Sequence, residues 1–421
     1  MDNVSEVLEV ATTAGRILLE NGAETSRVED IMDRISRHYG VDSGHFFVLS
    51  NGIFTSGESQ DAGGAAGDRM RTYAKVQFIP NKSMQFAKVI AINNLSYDIA
   101  AGKYTLEEVA RQLEHIRNLP SKPIWERLLA SALGAGTFCA VFGGGFVECL
   151  ASFVVGLLSA FFSIFVSSRY LSKTVATLAD SFVMSLLCIV FFRIGFGSSL
   201  SNVIIGAVML LVPGLPFVNG VRDLANSDYL AGMTRMAEAL FTFLFIAIGV
   251  TASFMLDGLL AGGIINLGGV VIDSATSGYA LQALAAGIAT MSFAVLFGVP
   301  RDKYLACGVI GCIGWTLYLL QCRALGVSVP VASAVASVAI CVMARFTAVR
   351  SKSPATIYLL CGLIALVPGA GIFWCTYYFT ASMPLQALSA GFNAIQVAIS
   401  IVLGIVLAME LPQRIFRRHL R

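Results

Sequence analysis

Ten long apolar runs dominate the chain from Trp125 onward and limit what it can fold into. They are separated by short polar joints and cover 125–145, 147–167, 174–194, 199–219, 232–256, 278–299, 303–322, 329–348, 355–379 and 387–410. Each run is long enough to cross the roughly 30 Å of hydrocarbon in a bilayer. Because lipid offers no hydrogen-bond partner to backbone N–H and C=O groups, each run must be helical. The pattern therefore predicts an all-α polytopic membrane protein that lies in a lipid bilayer.

The region before Trp125 differs from the rest in its charge. Of the 421 residues 13% are charged, against about 25% in a soluble protein. Positions 1–123 nevertheless hold 29 ionisable side chains and net −3, whereas the remaining 298 positions hold 26 and net +6. We therefore expect a soluble domain over 1–120, with the break near Pro120–Pro123. Its acidic start is unlike a secretory signal.

This N-terminal domain is predicted to be small and α+β. Apolar spacing and capping residues predict helices over 4–19, from Ser26 to Tyr39, over 83–101 and from Thr105 to before Pro120, and strands over 45–54 and 70–79. Ser26 and Glu29 have capping-box spacing, although Glu24 or Thr25 would equally open that helix. The glycine run 63–67 predicts a flexible turn.

Nothing in the sequence points to enzyme chemistry. The histidines of the first domain are scattered, and no nucleophile motif, phosphate loop or metal-ligand spacing is present. All nine cysteines lie between Cys139 and Cys375, inside apolar segments and without a CxxC pair, which favours small apolar packing residues. We therefore expect no enzyme, no catalytic residues, no cofactor, no metal site and no nucleic-acid partner.

The basic residues predict the orientation in the membrane. They fall in alternate joints and in the tail, namely at Arg169, Lys173, Arg222, Arg235, Arg301, Lys303, Arg345, Arg350, Lys352, Arg414, Arg417, Arg418 and Arg421. The opposite joints carry only Arg193 and Arg323, at span ends. Since cytoplasmic joints are enriched in Lys and Arg, both termini and the soluble domain are predicted to be cytoplasmic. The expected location is the cell (plasma or inner) membrane.

An internal repeat divides the membrane region. Leu211-Val-Pro-Gly214 recurs as Leu366-Val-Pro-Gly369, and Cys139-Ala-Val-Phe-Gly143 resembles Ala294-Val-Leu-Phe-Gly298, both at an offset of 155. The repeat predicts five spans in 121–256 and five in 257–421, the latter followed by a basic cytoplasmic tail. Because five is odd, the second copy would enter the bilayer from the opposite side. An inverted 5+5 repeat is a recurrent plan of secondary transporters.

The two Leu-Val-Pro-Gly sites are predicted helix breaks. Pro213 and Pro368 each remove a backbone donor, and Gly214 and Gly369 loosen the chain beside them. Transporters of this plan bind substrate near the membrane midplane, where helices are broken. These four residues are therefore candidates for a substrate site, and plain proline kinks are the alternative.

Three carboxylates are unusual because they lie within apolar runs. Asp180 is seven residues into the third span, Glu148 follows the glycines 143–145, and Glu238 lies in the first turns of the fifth span. A charge at bilayer depth costs about 2.5–3.5 kcal/mol on insertion scales, so retained ones are candidates for function. With no histidine in the spans, these residues are the candidate proton carriers, Asp180 first. A structural pair of Asp180 with Arg193 or Arg235 is the alternative.

Asn219, Arg222 and Asp223 follow the first break and form a further candidate. Unwound backbone with Asn219 would bind a zwitterion, with Asp223 on its ammonium and Arg222 on its carboxylate. A cytoplasmic turn that merely anchors the orientation explains the segment equally well.

At these residues the sequence resembles the threonine/serine exporter (ThrE) family, in its single-chain form. The carrying motifs are Leu19-Glu-Asn-Gly-Ala-Glu-Thr-Ser-Arg-Val-Glu29, Pro213-Gly-Leu-Pro-Phe-Val-Asn-Gly-Val-Arg-Asp223, Gly232-Met-Thr-Arg-Met-Ala-Glu238 and Leu366-Val-Pro-Gly-Ala-Gly371. The resemblance implies a cytoplasmic N-terminal domain, ten spans and export of threonine and serine driven by the proton motive force. Family members usually carry Asp where this chain has Glu148.

The resemblance leaves alternatives open. Relatives split over two polypeptides look like dicarboxylate exporters, which makes succinate the rival substrate, and a passive channel is a further possibility. The expected partners are a small-molecule substrate and protons. Small residues such as Gly262-Gly263 permit close helix packing within one chain or in a homo-oligomer.

Overall fold

The computed structural model describes residues 3–60, 70–80, 83–197, 199–225, 227–261, 278–412 and 415–416. They form two compact units. The first comprises the chain up to Ser121 with Asp223–Arg235 and Phe297–Pro300, and the second comprises Lys122–Arg222, Met236–Leu296 and the chain from Arg301. The glycine run 63–67, the pair Gly262-Gly263 and the arginines of the tail lie outside the described residues.

The first unit is α+β, as predicted. Its elements are α1 (Asn3–Glu20), α2 (Thr25–His38), β1 (His45–Leu49), β2 (Gly52–Gln60), β3 (Met70–Phe78), α3 (Phe86–Ala100) and α4 (Leu106–Arg117). The strands form an antiparallel sheet in the order β1-β2-β3. Apolar side chains of α1, α2 and α3, among them Leu8, Ile31 and Ile92, are fully buried and provide the core.

Two local predictions in this unit need correction. The strand expected over 45–54 is a hairpin of two strands, because the chain turns at Ser50 and Asn51 and pairs Leu49 with Gly52. Helix α2 begins at Thr25 and has no side-chain cap. Glu29 does not close a capping box there, since its carboxylate accepts a hydrogen bond from the Val48 backbone N–H at 3.0 Å.

The second unit contains the membrane helices. They are α5 (Ile124–Val141), α6 (Phe146–Phe162), α7 (Lys173–Arg193), α8 (Leu200–Val208), α9 (Gly214–Ala225), α10 (Tyr229–Ala261), α11 (Tyr279–Leu296), α12 (Tyr304–Leu319), α13 (Val329–Ser351), α14 (Ala355–Leu363), α15 (Gly369–Thr380) and α16 (Pro384–Met409). A π-helical turn extends α6 at Ser163–Ser167, and another extends α12 at Leu320–Ala324. The last residues of α9, from Asp223, and the first turns of α10 fall within the first unit's segment.

Within the described residues, seven continuous helical stretches are long and apolar enough to cross a membrane. The other three predicted spans are not long, uninterrupted apolar helices. Helix α5 has 18 residues and carries Glu126 and Arg127 in its first turn. The fourth and ninth spans are each divided into two short helices, α8 with α9 and α14 with α15. The chain is therefore a polytopic α-helical membrane protein with a small α+β domain.

The helix bounds repeat along the chain at the offset found in the sequence. Helices α5 and α11, α8 and α14, and α9 and α15 begin and end 155 residues apart. Helices α10 and α16 also begin 155 residues apart. The repeat therefore extends from sequence to secondary structure, while its inverted arrangement in a membrane stays a prediction.

Contacts between the two copies are reciprocal. A Cβ added to Gly214 would lie 3.0 Å from Ile364 Cδ1, and one added to Gly369 would lie 2.5 Å from Met209 Sδ. These two contacts are the same pair of repeat positions with the copies exchanged. Phe138 and Phe293, which are equivalent positions, contact each other edge to face at 5.5 Å between ring centroids. Reciprocity of this kind is what a two-fold axis produces.

Candidate functional site

Both Leu-Val-Pro-Gly sites interrupt a helix. Helix α8 ends at Val208 and α9 begins at Gly214, while α14 ends at Leu363 and α15 begins at Gly369. At each break a tight turn joins the glycine N–H to the valine carbonyl two residues earlier, at 2.8 Å in the first copy and 2.7 Å in the second. The proline between them has no N–H to continue a helix. The structure therefore has the breaks that the sequence predicts, and their role in binding stays a prediction.

A cavity of about 930 Å³ lies beside the second break. Its walls come from the end of α5, the start of α11, the end of α12, the start of α13, α15 and the first half of α16, together with Ala365–Pro368 of the break. Except for the break at its base, these are helix ends that lie on one side of the predicted bilayer. In the predicted orientation that side is extracytoplasmic.

The cavity is lined by many polar side chains for a site among membrane helices. They are Gln282, Trp315, Tyr318, Cys322, Arg323, Ser328, Ser333, Trp374, Tyr378, Gln386, Ser389 and Asn393. Of the described lining residues, Arg323 alone carries a formal charge and none is a carboxylic acid. Most of the cavity surface is nevertheless apolar, and its one formal charge among the described lining residues is positive rather than acidic.

Two tryptophans in the wall have unused hydrogen-bond donors. Trp315 is 6% exposed and Trp374 is 7% exposed, and neither Nε1–H has a partner among the described residues. A buried donor without a partner costs about 1–3 kcal/mol. Both residues line the cavity, but the two nitrogens themselves are buried behind its surface, so a ligand reaches them only when the side chains move.

The start of α15 adds a further positive feature. Ala370 and Gly371, in the first turn of this 12-residue helix, line the cavity. The first N–H groups of a helix have no partner within it, and the helix dipole places partial positive charge there. Together with Arg323 and the indole N–H groups, this end can bind a carboxylate. The carbonyls of the break and the aromatic faces can receive an ammonium group.

Residues predicted around the first break do not line this cavity. Asn219 is 6% exposed, and its Oδ1 has no hydrogen-bond partner among the described residues. Asp223 is buried in the first unit, where it pairs with Arg235 at 3.3 Å. Arg235 is therefore a partner of this carboxylate, and the binding of a zwitterion by Asn219, Arg222 and Asp223 stays a prediction.

The intramembrane carboxylates have different surroundings. Asp180 accepts a hydrogen bond from Ser163 Oγ of the π-helical turn at 2.9 Å. Glu148 is buried beside Gly145 and Gly197. Glu238 forms an ion pair with Lys173 at 2.5 Å. Glu148 is thus buried, Asp180 is half-buried and Glu238 has a cationic partner, while their role in proton coupling stays a prediction.

The alternative partners considered for Asp180 are engaged elsewhere. Arg193 makes two parallel contacts with the buried Asp257, the longer at 2.7 Å, and Arg235 pairs with Asp223. A structural pair of Asp180 with either arginine is therefore wrong. Asp257 is the partner that neutralises Arg193.

Comparisons with known proteins identify the family. A family model described as "Putative threonine/serine exporter" matches residues 9–257, and a second, described as "Threonine/Serine exporter, ThrE", matches residues 282–410. The first match alone covers more than half of the chain. The chain belongs to the threonine/serine exporter family. It is thus a member of a transporter family and not an enzyme.

Curated relatives of this exporter family agree over long stretches. A threonine/serine exporter of Corynebacterium glutamicum is 23% identical over 98% of this chain and 84% of its own length. A probable threonine/serine exporter of Mycobacterium tuberculosis is 23% identical over 79% of this chain and 64% of its own length. A probable succinate transporter subunit, YjjP, of Klebsiella aerogenes is 25% identical over 58% of this chain and 90% of its own length. No solved structure matches.

The exporter-family motif at 19–29 makes specific contacts within the first unit. Thr25 Oγ1 donates to Asp228 Oδ2 at 2.9 Å, and an Arg235 N–H donates to the Ala23 carbonyl at 3.4 Å. Burial and the nearby Asp228 charge raise the pKa of Glu29. The hydrogen bond from the Val48 N–H lowers it, but by less, so the pKa lies above its usual value. The motif residues therefore contact the segment that follows the first helix break.

The family's sequence motifs do not include most of the cavity wall. Trp315, Trp374 and Asn393 stand in apolar runs, where aromatic and small polar residues are common and carry no signal alone. The 155-residue offset was the available signal, since it places Trp374 at the position of Asn219 and Asn393 at that of Glu238.

Proposed function

We propose that this chain exports small hydrophilic amino acids, above all L-threonine and L-serine, across the cell membrane, with both termini in the cytoplasm. The observation that carries the proposal is the cavity at the second helix break, which has polar side chains in its wall, in a chain of the threonine/serine exporter family. Its volume of about 930 Å³ is ample for an amino acid with several waters.

Binding is proposed to orient the zwitterion by its carboxylate. The first turn of α15 and the N–H groups of Trp315 and Trp374 would receive the carboxylate, with Arg323 adding charge at the wall. The ammonium group would contact break carbonyls and aromatic faces. Pro368 and Gly369 would thus act by creating the second break. Pro213 and Gly214 would act indirectly, because Gly214 of the first break packs against Ile364 and Val367 of the second.

The proposed test of function is efflux of labelled L-threonine, L-serine and succinate from cells that overproduce the chain, with and without an uncoupler. We expect threonine and serine to leave the cells in an uncoupler-sensitive manner and succinate to stay. Efflux of succinate alone would reassign the substrate. Succinate is the second candidate because Arg323 can attract a dicarboxylate and because the YjjP relative is a probable succinate transporter subunit. A flux that neither saturates nor responds to the uncoupler would point to a channel.

Proton coupling is proposed to use Asp180, with Glu148 as the second carboxylate. Asp180→Asn keeps the hydrogen-bond acceptor for Ser163 but cannot exchange a proton at neutral pH. We expect its threonine efflux to lose nearly all dependence on the proton gradient, measured in proteoliposomes with an imposed pH difference. The control is Asp302→Asn, at a carboxylate that is exposed beside Lys303. Full coupling in the Asp180 variant would exclude this role.

A further inference from the structure

The wall residues that the second repeat contributes have counterparts 155 residues earlier, although the chemistry of several differs, since Trp315 corresponds to Ala160 and Arg323 to Ser168. Taking positions 155 residues earlier maps the cavity wall onto a set of helix ends on the opposite, predicted cytoplasmic side. Among these counterparts, Tyr318, Ser328, Trp374 and Asn393 correspond to Ser163, Lys173, Asn219 and Glu238, all four of which lie in the second unit. The sequence offset thus assigns a second set of polar groups to one location.

One pair of equivalent positions shares an unusual property. Trp374 Nε1 and Asn219 Oδ1 are both buried polar atoms without a hydrogen-bond partner among the described residues. Native proteins leave few such atoms, and each needs an explanation such as a missing ligand or water. Trp374 belongs to the cavity wall, and Asn219 holds the equivalent position in the other copy.

A second pair of equivalent positions differs between the two copies. Ser328 and Asn393 line the cavity in the second repeat. Their counterparts are Lys173 and Glu238, which are joined by an ion pair of 2.5 Å between α7 and α10. Two short neutral side chains thus border space in one copy, whereas two long charged ones hold two helices together in the other.

We propose that the first repeat holds a second substrate vestibule, facing the cytoplasm and lined by Asn219, which the Lys173–Glu238 ion pair keeps shut in this structure. It takes the same small amino acids as the cavity, so the inference rests on the proposed function for its ligand. Ser163, also on this wall, bonds Asp180, which places the proposed proton carrier at the vestibule.

The two vestibules explain how one chain exposes substrate to each side in turn. In repeat-built transporters, opening one side and closing the other exchanges the conformations of equivalent elements. This structure then has the extracytoplasmic side open. Breaking the Lys173–Glu238 pair stabilises the opposite state relative to this one, so the populations shift.

Accessibility of two cysteines to a membrane-impermeant thiol reagent tests the inference in the full-length chain. Native Cys322 lines the cavity and reports its opening. The cysteine introduced by Asn219→Cys reports the vestibule. Labelling is measured for each peptide by mass spectrometry, from outside in spheroplasts and from the cytoplasmic side in inverted vesicles. The gate variant combines Lys173→Met with Glu238→Gln, which removes both charges together.

We expect the gate variant to raise cytoplasmic labelling at position 219 and to lower outside labelling of Cys322, each about two- to fivefold. An ion pair with an exposed partner contributes at most about 1 kcal/mol, which is a factor of about five. The charge exchange of Lys173→Glu with Glu238→Lys should return both signals toward those of the parent. The control combines Arg16→Gln with Glu20→Gln, a partly exposed ion pair within α1, and should change neither signal.

If the gate variant is folded and labelling is unchanged at both positions, the proposal of a second vestibule is wrong. A rise at both positions together would also overturn it, since this indicates general loosening rather than exchange of sides. Because labelling needs no substrate, its result is separate from the efflux result. Reciprocal labelling without threonine or serine efflux supports the vestibule and rejects the proposed substrates. Efflux of threonine or serine without reciprocal labelling rejects the vestibule alone.

Discussion

Trp374→Phe and Trp315→Phe should each weaken threonine binding by about tenfold or more. Each substitution keeps an aromatic ring in the cavity wall but removes the indole N–H that has no protein partner. A hydrogen bond to a charged group contributes about 1.5–3 kcal/mol, which corresponds to a factor of roughly ten to a hundred and fifty in the dissociation constant. Binding of labelled threonine to the purified chain measures the change.

The third tryptophan is a matched control for this experiment. Trp125 lies in α5 and is 61% exposed, and it does not line the cavity. Trp125→Phe should therefore leave threonine affinity within twofold of the parent. Equal losses in all three variants, or no loss at Trp374 and Trp315, would show that the indole N–H groups do not bind the carboxylate.

Gly249→Ala and Gly404→Ala should each strongly destabilise the membrane region. A Cβ at Gly249 would lie 2.0 Å from Ser181 Oγ and 2.6 Å from the Leu178 carbonyl oxygen. At Gly404 the corresponding distances are 2.0 Å to Ser337 Oγ and 2.3 Å to the Ala334 carbonyl oxygen. Since backbone atoms cannot rotate away, the helices must separate, at a cost of about 1–3 kcal/mol.

The sign of this change is informative. Alanine normally stabilises a helix relative to glycine, by roughly 0.5–1 kcal/mol, so an exposed glycine would give the opposite result. Thermal unfolding in detergent measures the difference. Adding Ser337→Ala to Gly404→Ala should recover only part of the loss, because the Ala334 carbonyl remains. Leu403→Ala, at the exposed neighbouring position, is the control and should change the unfolding temperature little.

The two glycines also connect stability to the repeat. They lie 155 residues apart, and each is in contact with a serine that bonds the carbonyl three residues before it. Close helix approach through small residues is a general device in membranes, where hydrophobic burial does not drive helices together. Its recurrence at equivalent positions indicates that α7 and α10 pack like α13 and α16.

Much of the architecture could be predicted because the signals are local. The length of an apolar run determines whether it can span a bilayer, and a proline breaks a helix wherever it stands inside one. Pro213 and Pro368 therefore marked both breaks, and the matching Leu-Val-Pro-Gly sites gave the offset that the helix bounds repeat. The Thr105 capping box, likewise, depends on residues three apart and is present.

The pairing of charges could not be predicted in the same way. Asp223 forms an ion pair with Arg235, twelve residues further along the chain, and Arg193 pairs with Asp257. Choice of partner depends on which helices are adjacent, and several arginines were equally available by sequence. The hairpin within 45–54 was missed for a similar reason, since β-forming residues continue into its turn.

The sequence by itself determined that this is a membrane protein of the threonine/serine exporter family, with two copies of a broken-helix unit, because hydropathy, proline and motif order are properties of the chain. Only the tertiary structure decided where its polar groups meet. Trp315, Trp374 and Asn393 come from three different helices, and each is unremarkable within its own apolar run. Packing of α12, α15 and α16 brings them to one cavity, and burial there leaves two indole N–H groups without a protein partner.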